Sequence, residues 1–448
     1  MEFQEQIHDY IQEHKEEIVD TLKDLIKIPS VRGEAEENAP FGKECARVLE
    51  FTQKLYESNG FDTELNTDSG YLLSYYGEGK KSLGIFAHAD VVPVGDNWTL
   101  TAPFEPIKKD GYIIGRGAID DKSAVVTSLF CARMIKEMKL LFKSRLVCFT
   151  GANEESGMQD IKNYVQKHTA PDFSLVCDTG FPLYRGNKGI LHFVATQNSP
   201  MHDVTDFWGG SAFNIILGEA KAKIGEQVFE EKGISRHGAL PEGSLNAAYV
   251  LSKKLSQNYA LCDGDRHQME FIASILEKYY GEIFGIEHTD KDFGRLTVTN
   301  GIAKMSDGRI SLGFDMRYGA SLHIEEAKAK IISFFDNNDW SVAFVLESDP
   351  FIISESNPYI VACMNTYKDF TKKTDAKTIV NAGGTYARYL PCAAEIGTSI
   401  SGSKRLFDLP QGHGSVHQPD ECISIDGLLN AIELTMLMLL ECDKQQED

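Results

Sequence analysis

Leu83-Gly84-Ile85-Phe86-Ala87-His88-Ala89-Asp90 is an apolar run that ends on two ionisable side chains, and the same construction returns twice. Leu146-Val147-Cys148-Phe149-Thr150 leads to Asn153-Glu154-Glu155, and Phe173-Ser174-Leu175-Val176-Cys177 leads to Asp178. Short apolar runs of this kind read as buried strands, and helical patterns near 122–139 and 158–168 lie between them. That alternation marks βαβ units, so the expected fold class is α/β, a mainly parallel twisted sheet flanked by helices. Ligands bind outside the carboxyl ends of the strands in such sheets, which should gather these ionisable groups along one edge. One ionisable strand end would mean little; three in succession predict a site.

Working outward, Ile7, Tyr10, Ile11, Ile18, Leu22, Leu25 and Ile26 recur at helical spacing and predict one amphipathic helix over 3–27, ended by Pro29. Downstream, 189–196 and 309–316 alternate apolar and polar residues as half-exposed antiparallel strands do. Helices are expected near 245–256 and 325–335. Residues 1–185 with 385–448 therefore read as one α/β domain closed by a C-terminal helix, and 186–384 as an inserted α+β domain.

The 448 residues carry 45 Lys and Arg against 66 Asp and Glu, a net charge of −21. A field of that sign repels phosphate backbones and anionic lipid, so the expectation is no nucleic acid and no membrane partner, with small molecules or metal cations instead. The nine cysteines are an odd number without a Cys-x-x-Cys pair, which argues against a disulfide framework or a thiolate zinc site and for a reducing cytoplasm. The acidic opening Glu2-Phe3-Gln4-Glu5 lacks the apolar stretch of a signal peptide.

His88 and Asp90 are two apart and share a strand face, so Asp90 can fix the imidazole tautomer; a strand-end pair serving stability alone has the same spacing. Asp121 reads as the N-cap of the helix carrying Val125, Leu129, Ala132 and Ile135, which leaves Asp120 free as a ligand. Adjacent Glu154 and Glu155 repel unless a cation sits between them or one takes a proton. Metal-assisted hydrolysis wants such a pair, one as ligand and one as base, although an isolated Glu-Glu is often a solvated loop. Gly115-Arg116-Gly117-Ala118-Ile119-Asp120 puts an acid where a dinucleotide loop needs its third glycine, and no Gly-x-Ser-x-Gly elbow is present.

Phe86-Ala87-His88-Ala89-Asp90, Gly115-Arg116-Gly117-Ala118-Ile119-Asp120-Asp121-Lys122 and Thr150-Gly151-Ala152-Asn153-Glu154-Glu155 resemble, in order, the motifs of the co-catalytic di-zinc peptidases, which include aminoacylase, carnosinase and succinyl-diaminopimelate desuccinylase. Asn381-Ala382-Gly383-Gly384-Thr385-Tyr386-Ala387-Arg388 and the long insert look most like the bacterial dipeptidase branch typified by peptidase V.

The resemblance implies that Asp120 bridges two divalent ions, with His88 and Asp178 completing one site and Glu155 and His417 the other. Glu154 would be the general base and Asp90 the catalytic partner of His88. His417, before Gln418-Pro419-Asp420-Glu421, fits the last ligand better than His413, which remains a competitor. The insert would be a lid in which His237 stabilises the oxyanion while Asn214 and Arg317 hold substrate. Gly384, Thr385 and Arg388 would also bind it. The resemblance further implies a cis Asp120-Asp121 peptide.

A donor set without thiolate suits Zn²⁺ and would accept Mn²⁺ or Co²⁺. Ser123, Asn187 and Cys177 depart from the family pattern, and none of them is a proposed metal ligand, so the departures bear on substrate preference and not on reaction class. The activity expected from the resemblance is hydrolysis of dipeptides by a cytoplasmic monomer. The rivals are an N-acyl-amino-acid deacylase using the same metals and a decayed peptide-binding protein, against which the retained Glu154 argues. For Arg317 the competing reading is a strand-surface ion pair with Asp315.

Overall fold

The computed structural model describes residues 2–258, 260–400, 402 and 404–445. They form two units: the first runs to Gly186 and takes back Ile352–Ile379 and the chain from Gly384, and the second comprises Asn187–Phe351 and Val380–Gly383. The expected insert over 186–384 is therefore not one block. The helix Pro358–Thr371 belongs to the first unit, where Ile360, Cys363, Met364 and Tyr367 enter its core. An apolar helix face would serve either core, so the sequence carries no marker of that return.

The sheet of the first unit is ordered Asp62–Asn66, Tyr71–Tyr76, Arg145–Gly151, Ser82–His88, Phe173–Thr179, Ala393–Gly397, Tyr184–Asn187. Pairing is parallel among the four central strands and antiparallel outside them. This corrects the expectation of a mainly parallel sheet. Only a short 3₁₀ turn joins 62–66 to 71–76, and a connection that short permits antiparallel pairing alone. The central strands are buried on both faces, which is why they read as near-continuous apolar runs.

Helices Lys43–Ser58, Lys122–Glu137 and Ile425–Lys444 contribute Val48, Val125, Leu129, Leu428 and Ile432 to the same core. Truncating one such side chain, as in Leu129→Ala, costs about 2–5 kcal/mol. The single helix expected over 3–27 is two, Glu2–Glu13 and Lys15–Ile26. At the junction His14 leaves helical geometry, its Nδ1 facing the Tyr10 carbonyl at 2.8 Å and its ring stacked on that of Tyr10.

A smaller antiparallel sheet pairs Cys422–Ser424 with Tyr112–Ile114, and the latter with Ile107–Lys109. It lays the segment that follows His417 beside the segment that precedes Asp120.

The second unit has its own core around an antiparallel sheet ordered Thr297–Ser306, Arg309–Tyr318, Gly189–Gln197, Trp340–Ser348. Phe193, Phe314, Phe335 and Trp340 pack together in that core. Gly189–Gln197 alternates buried and half-buried positions along its length, the period-2 pattern legible in the sequence. Among the described residues no helix is long and apolar enough to cross a membrane.

Candidate metal centre

In the first unit, side chains from three strand ends and two loops converge. Ligand atoms of His88, Glu154 and Asp178 lie within 4.8 Å of one another, and so do those of His88, Asp120 and Glu155. His88 Nδ1 faces the Asp90 carbonyl at 3.0 Å. A carbonyl only accepts, so Nδ1 carries a proton and Nε2 is the nitrogen that a metal would meet. Nε2 lies 2.9 Å from Asp120 Oδ1 and 3.6 Å from Asp178 Oδ1. Asp120 thus spans two imidazoles, its Oδ2 lying 2.8 Å from His417 Nε2. The same Nε2 is 3.1 Å from Glu155 Oε1.

The electrostatics follow from crowding. Burial, reinforced by neighbouring carboxylates, raises the carboxyls of Glu154, Glu155 and Asp178 above their usual range. Burial pushes Asp120 the same way, but the two imidazoles outweigh it and hold that carboxyl well below normal. His417 is pushed up to about 10, because Asp120 and Glu155 overcome the opposing effect of burial. Four carboxylates and two imidazoles share this space. His88 Nε2 and Asp120 Oδ1, 2.9 Å apart, are buried and make no well-aligned hydrogen bond. Such atoms are costly to leave bare, and a divalent cation satisfies and neutralises them together. The residues fit two such ions.

Other expectations need correction. Asp90 is buried, and its carboxylate accepts from the N–H of Glu154 and Glu155 at 3.1 and 3.2 Å, so it pins the acidic turn; its backbone carbonyl, rather than its carboxylate, makes the shorter contact to His88. Asp121 occupies the N-cap position but makes no capping bond, because its Oδ2 accepts from the His88 N–H at 3.1 Å. His413 is engaged by Asp420 at 2.7 Å, whereas His417 faces Asp120 and Glu155. The Thr385 hydroxyl donates to Glu395 at 2.6 Å and accepts from the Ala387 N–H, so it shapes its turn instead of offering a free donor. Gly384 leaves room for the Arg388 guanidinium, which a Cβ would meet at 2.5 Å. The Asp120-Asp121 peptide is cis, as the resemblance implies.

His237, Asn214 and Arg317 lie in the second unit. His237 Nδ1 accepts from the Ala239 N–H at 3.2 Å, which places the proton on Nε2, 3.5 Å from the Asn214 amide. Arg317 is buried, not on a strand surface. Its Nε lies 2.9 Å from both Asp315 oxygens, and Nη1 donates to the Ala382 carbonyl at 3.1 Å.

Two pairs escaped the sequence reading. Asp160 is fully buried, accepts from Tyr386 Oη at 2.5 Å and from the Asn153 N–H at 2.7 Å, and is pushed up to about 7, chiefly by burial. Arg116 and Glu421 form a buried ion pair behind Asp120 and His417. Gly151 marks the first pair, since a Cβ there would strike both Tyr386 and Asp160. A third acidic group, Asp203, Cys262 and Asp265, is a loop clamp: Asp265 accepts from the N–H groups of His202, Asp203 and Val204.

The chain is 27% identical over 473 residues to a Staphylococcus saprophyticus protein provisionally named a dipeptidase, covering 95% of this chain and 97% of that relative. A Staphylococcus haemolyticus protein of the same provisional name is 28% identical over 473 residues, covering 95% and 96%. Human carnosine dipeptidase 1 shares the fold with a TM-score of 0.62 at 15% identity, over 98% of this chain and 99% of that one. A Staphylococcus aureus tripeptidase does so with a TM-score of 0.59 at 15% identity, over 96% and 99%. Residues 84–441 match the model of peptidase family M20/M25/M40, a span that takes in every residue of the two ligand groups. The chain belongs to peptidase family M20/M25/M40.

Proposed function

We propose that this protein is a cytoplasmic, monomeric dipeptidase that holds two divalent ions, zinc by preference. The observation that carries the reading is the bridging position of Asp120 between His88 and His417, with Glu154 buried beside the same imidazole. His88, Asp120 and Asp178 would hold one ion, and Asp120, Glu155 and His417 the other. Ions bound there polarise a scissile carbonyl and acidify a water.

The remaining work falls to side chains. Water adds its oxygen to the carbonyl carbon, the C–N bond breaks, and Glu154 takes a water proton and delivers it to the leaving nitrogen. Burial and neighbouring acids raise the Glu154 carboxyl, which suits a group that must accept and then release a proton. From the second unit, His237 offers its Nε2 proton to the oxyanion, Asn214 steadies substrate, and the Arg317 guanidinium pairs with a terminal carboxylate. Gly384 and Arg388 contribute to substrate binding in the first unit. The provisional dipeptidase names of the staphylococcal relatives support this choice of substrate.

The test is to incubate zinc-loaded protein with dipeptides, tripeptides and N-acyl amino acids and to identify the products by mass spectrometry. Cleavage of dipeptides first is expected. Preferred cleavage of N-acyl amino acids would move the assignment to a deacylase.

A further inference from the structure

Asp120 and His417 come from distant parts of the chain, and the ion centre exists only if their side chains are held together. Arg116 and Glu421, which stand outside both ligand groups, make that connection. Their side chains are 1% and 0% exposed, and Arg116 Nη1 donates to Glu421 Oε2 at 2.6 Å. Glu421 also accepts from the N–H of Gly117 at 3.2 Å, of Ile119 at 2.8 Å and of Asp120 at 3.1 Å. One carboxylate thereby gathers the loop that presents Asp120. Arg116 sends Nη2 to the carbonyls of His417 at 3.2 Å and Val94 at 3.3 Å, and its guanidinium lies 5.5 Å from the centre of the Trp98 ring.

A buried ion pair is a weak source of stability, because desolvating two charges offsets most of their attraction. What this pair supplies is geometry: a planar fork on one side, a multiply hydrogen-bonded carboxylate on the other, each tied to the backbone of a different ligand. We infer that Arg116 and Glu421 are positioning residues for the ion centre, Glu421 fixing Asp120 and Arg116 fixing His417 to the same point. This rests on the two-ion reading above.

The two arms differ in reach. His417 faces Asp120 and Glu155, so releasing its carbonyl disturbs one ion's ligands. Asp120 faces both imidazoles, so releasing its backbone disturbs both.

Arg116→Lys keeps a cation against Glu421 and loses the second arm. In chelator competition followed by elemental analysis, one of two zinc equivalents is expected to bind roughly 10–100-fold more weakly, as loss of an outer partner of a metal ligand does, and the other to bind normally. Glu421→Gln is expected to weaken both. Near-UV circular dichroism of the metal-free variants should match the wild type, whereas a purely structural pair would alter fold or stability without singling out one equivalent. Should either variant misfold, the double variant Arg116→Met, Glu421→Leu removes the pair without stranding a charge and is expected to fold and lose tight binding of both ions.

Wild type with two tight equivalents, beside folded variants that bind equally tightly, would overturn the inference alone. Wild type with fewer than two equivalents would overturn it together with the two-ion reading. Failure of all three variants to fold would assign the pair to stability and overturn the inference as well.

Discussion

The two units treat their buried acids in opposite ways. In the second, Asp315 is fully buried but has Arg317 Nε 2.9 Å from both oxygens and His192 Nε2 2.9 Å from one, so its charge is answered by the protein itself. In the first, four carboxylates crowd two imidazoles, and buried atoms of His88 and Asp120 make no well-aligned hydrogen bond. The second arrangement is electrostatically closed as it stands. The first needs protons or added cations to balance it, and that difference separates an internally paired acid from a candidate metal centre.

The comparison breaks first at Glu154. Glu154→Gln should retain two zinc equivalents while turnover falls by roughly 10²–10⁴, the scale of general acid-base catalysis; near-normal turnover in the zinc-loaded variant would remove its role. His237→Ala should cost less, roughly 10²–10³ in turnover, as loss of one oxyanion donor does, with zinc content and affinity unchanged because the residue lies in the second unit. Mixing inactive His237→Ala with inactive Glu154→Gln should restore nothing, and recovered activity would show that chains share a site.

The smallest effect is on stability. In metal-free protein the His417 imidazole is pushed up to about 10 by Asp120 and Glu155, above the ordinary value of about 6.5. A raised folded-state value gives stability that is fully present below about pH 6.5 and lost as pH rises through about 10. His417 is half exposed, so solvent screens the pair and the loss should be modest. The denaturation midpoint of metal-free protein should therefore decline between pH 7 and 10, and Asp120→Asn should flatten the decline. A midpoint that rises over that range would contradict the pairing.

What the sequence made legible was local. Ser82–His88, Arg145–Gly151 and Phe173–Thr179 announce themselves because a buried strand must be apolar and a ligand at its end must not be. Pairing outside the parallel centre was not legible, since period and composition do not say which neighbour a strand takes. Nor was the return of Pro358–Thr371 to the first unit. Asp160 looks like any acid on an amphipathic helix until Tyr386 closes on it. Arg116 and Glu421 lie inside motifs read for their glycines and for His417, and their pairing exists only once the strands 112–114 and 422–424 are side by side.

The most direct test of the central claim is a zinc titration of stripped protein, following bound metal and release of free amino acids from a dipeptide in the same samples. Binding should saturate at two equivalents, with hydrolysis absent in stripped protein and complete only when both are bound, and Asp120→Ala should bind neither tightly. Full hydrolysis by stripped protein, or two equivalents retained by Asp120→Ala, would contradict the assignment of His88, Asp120, Glu154, Glu155, Asp178 and His417 to a two-ion centre.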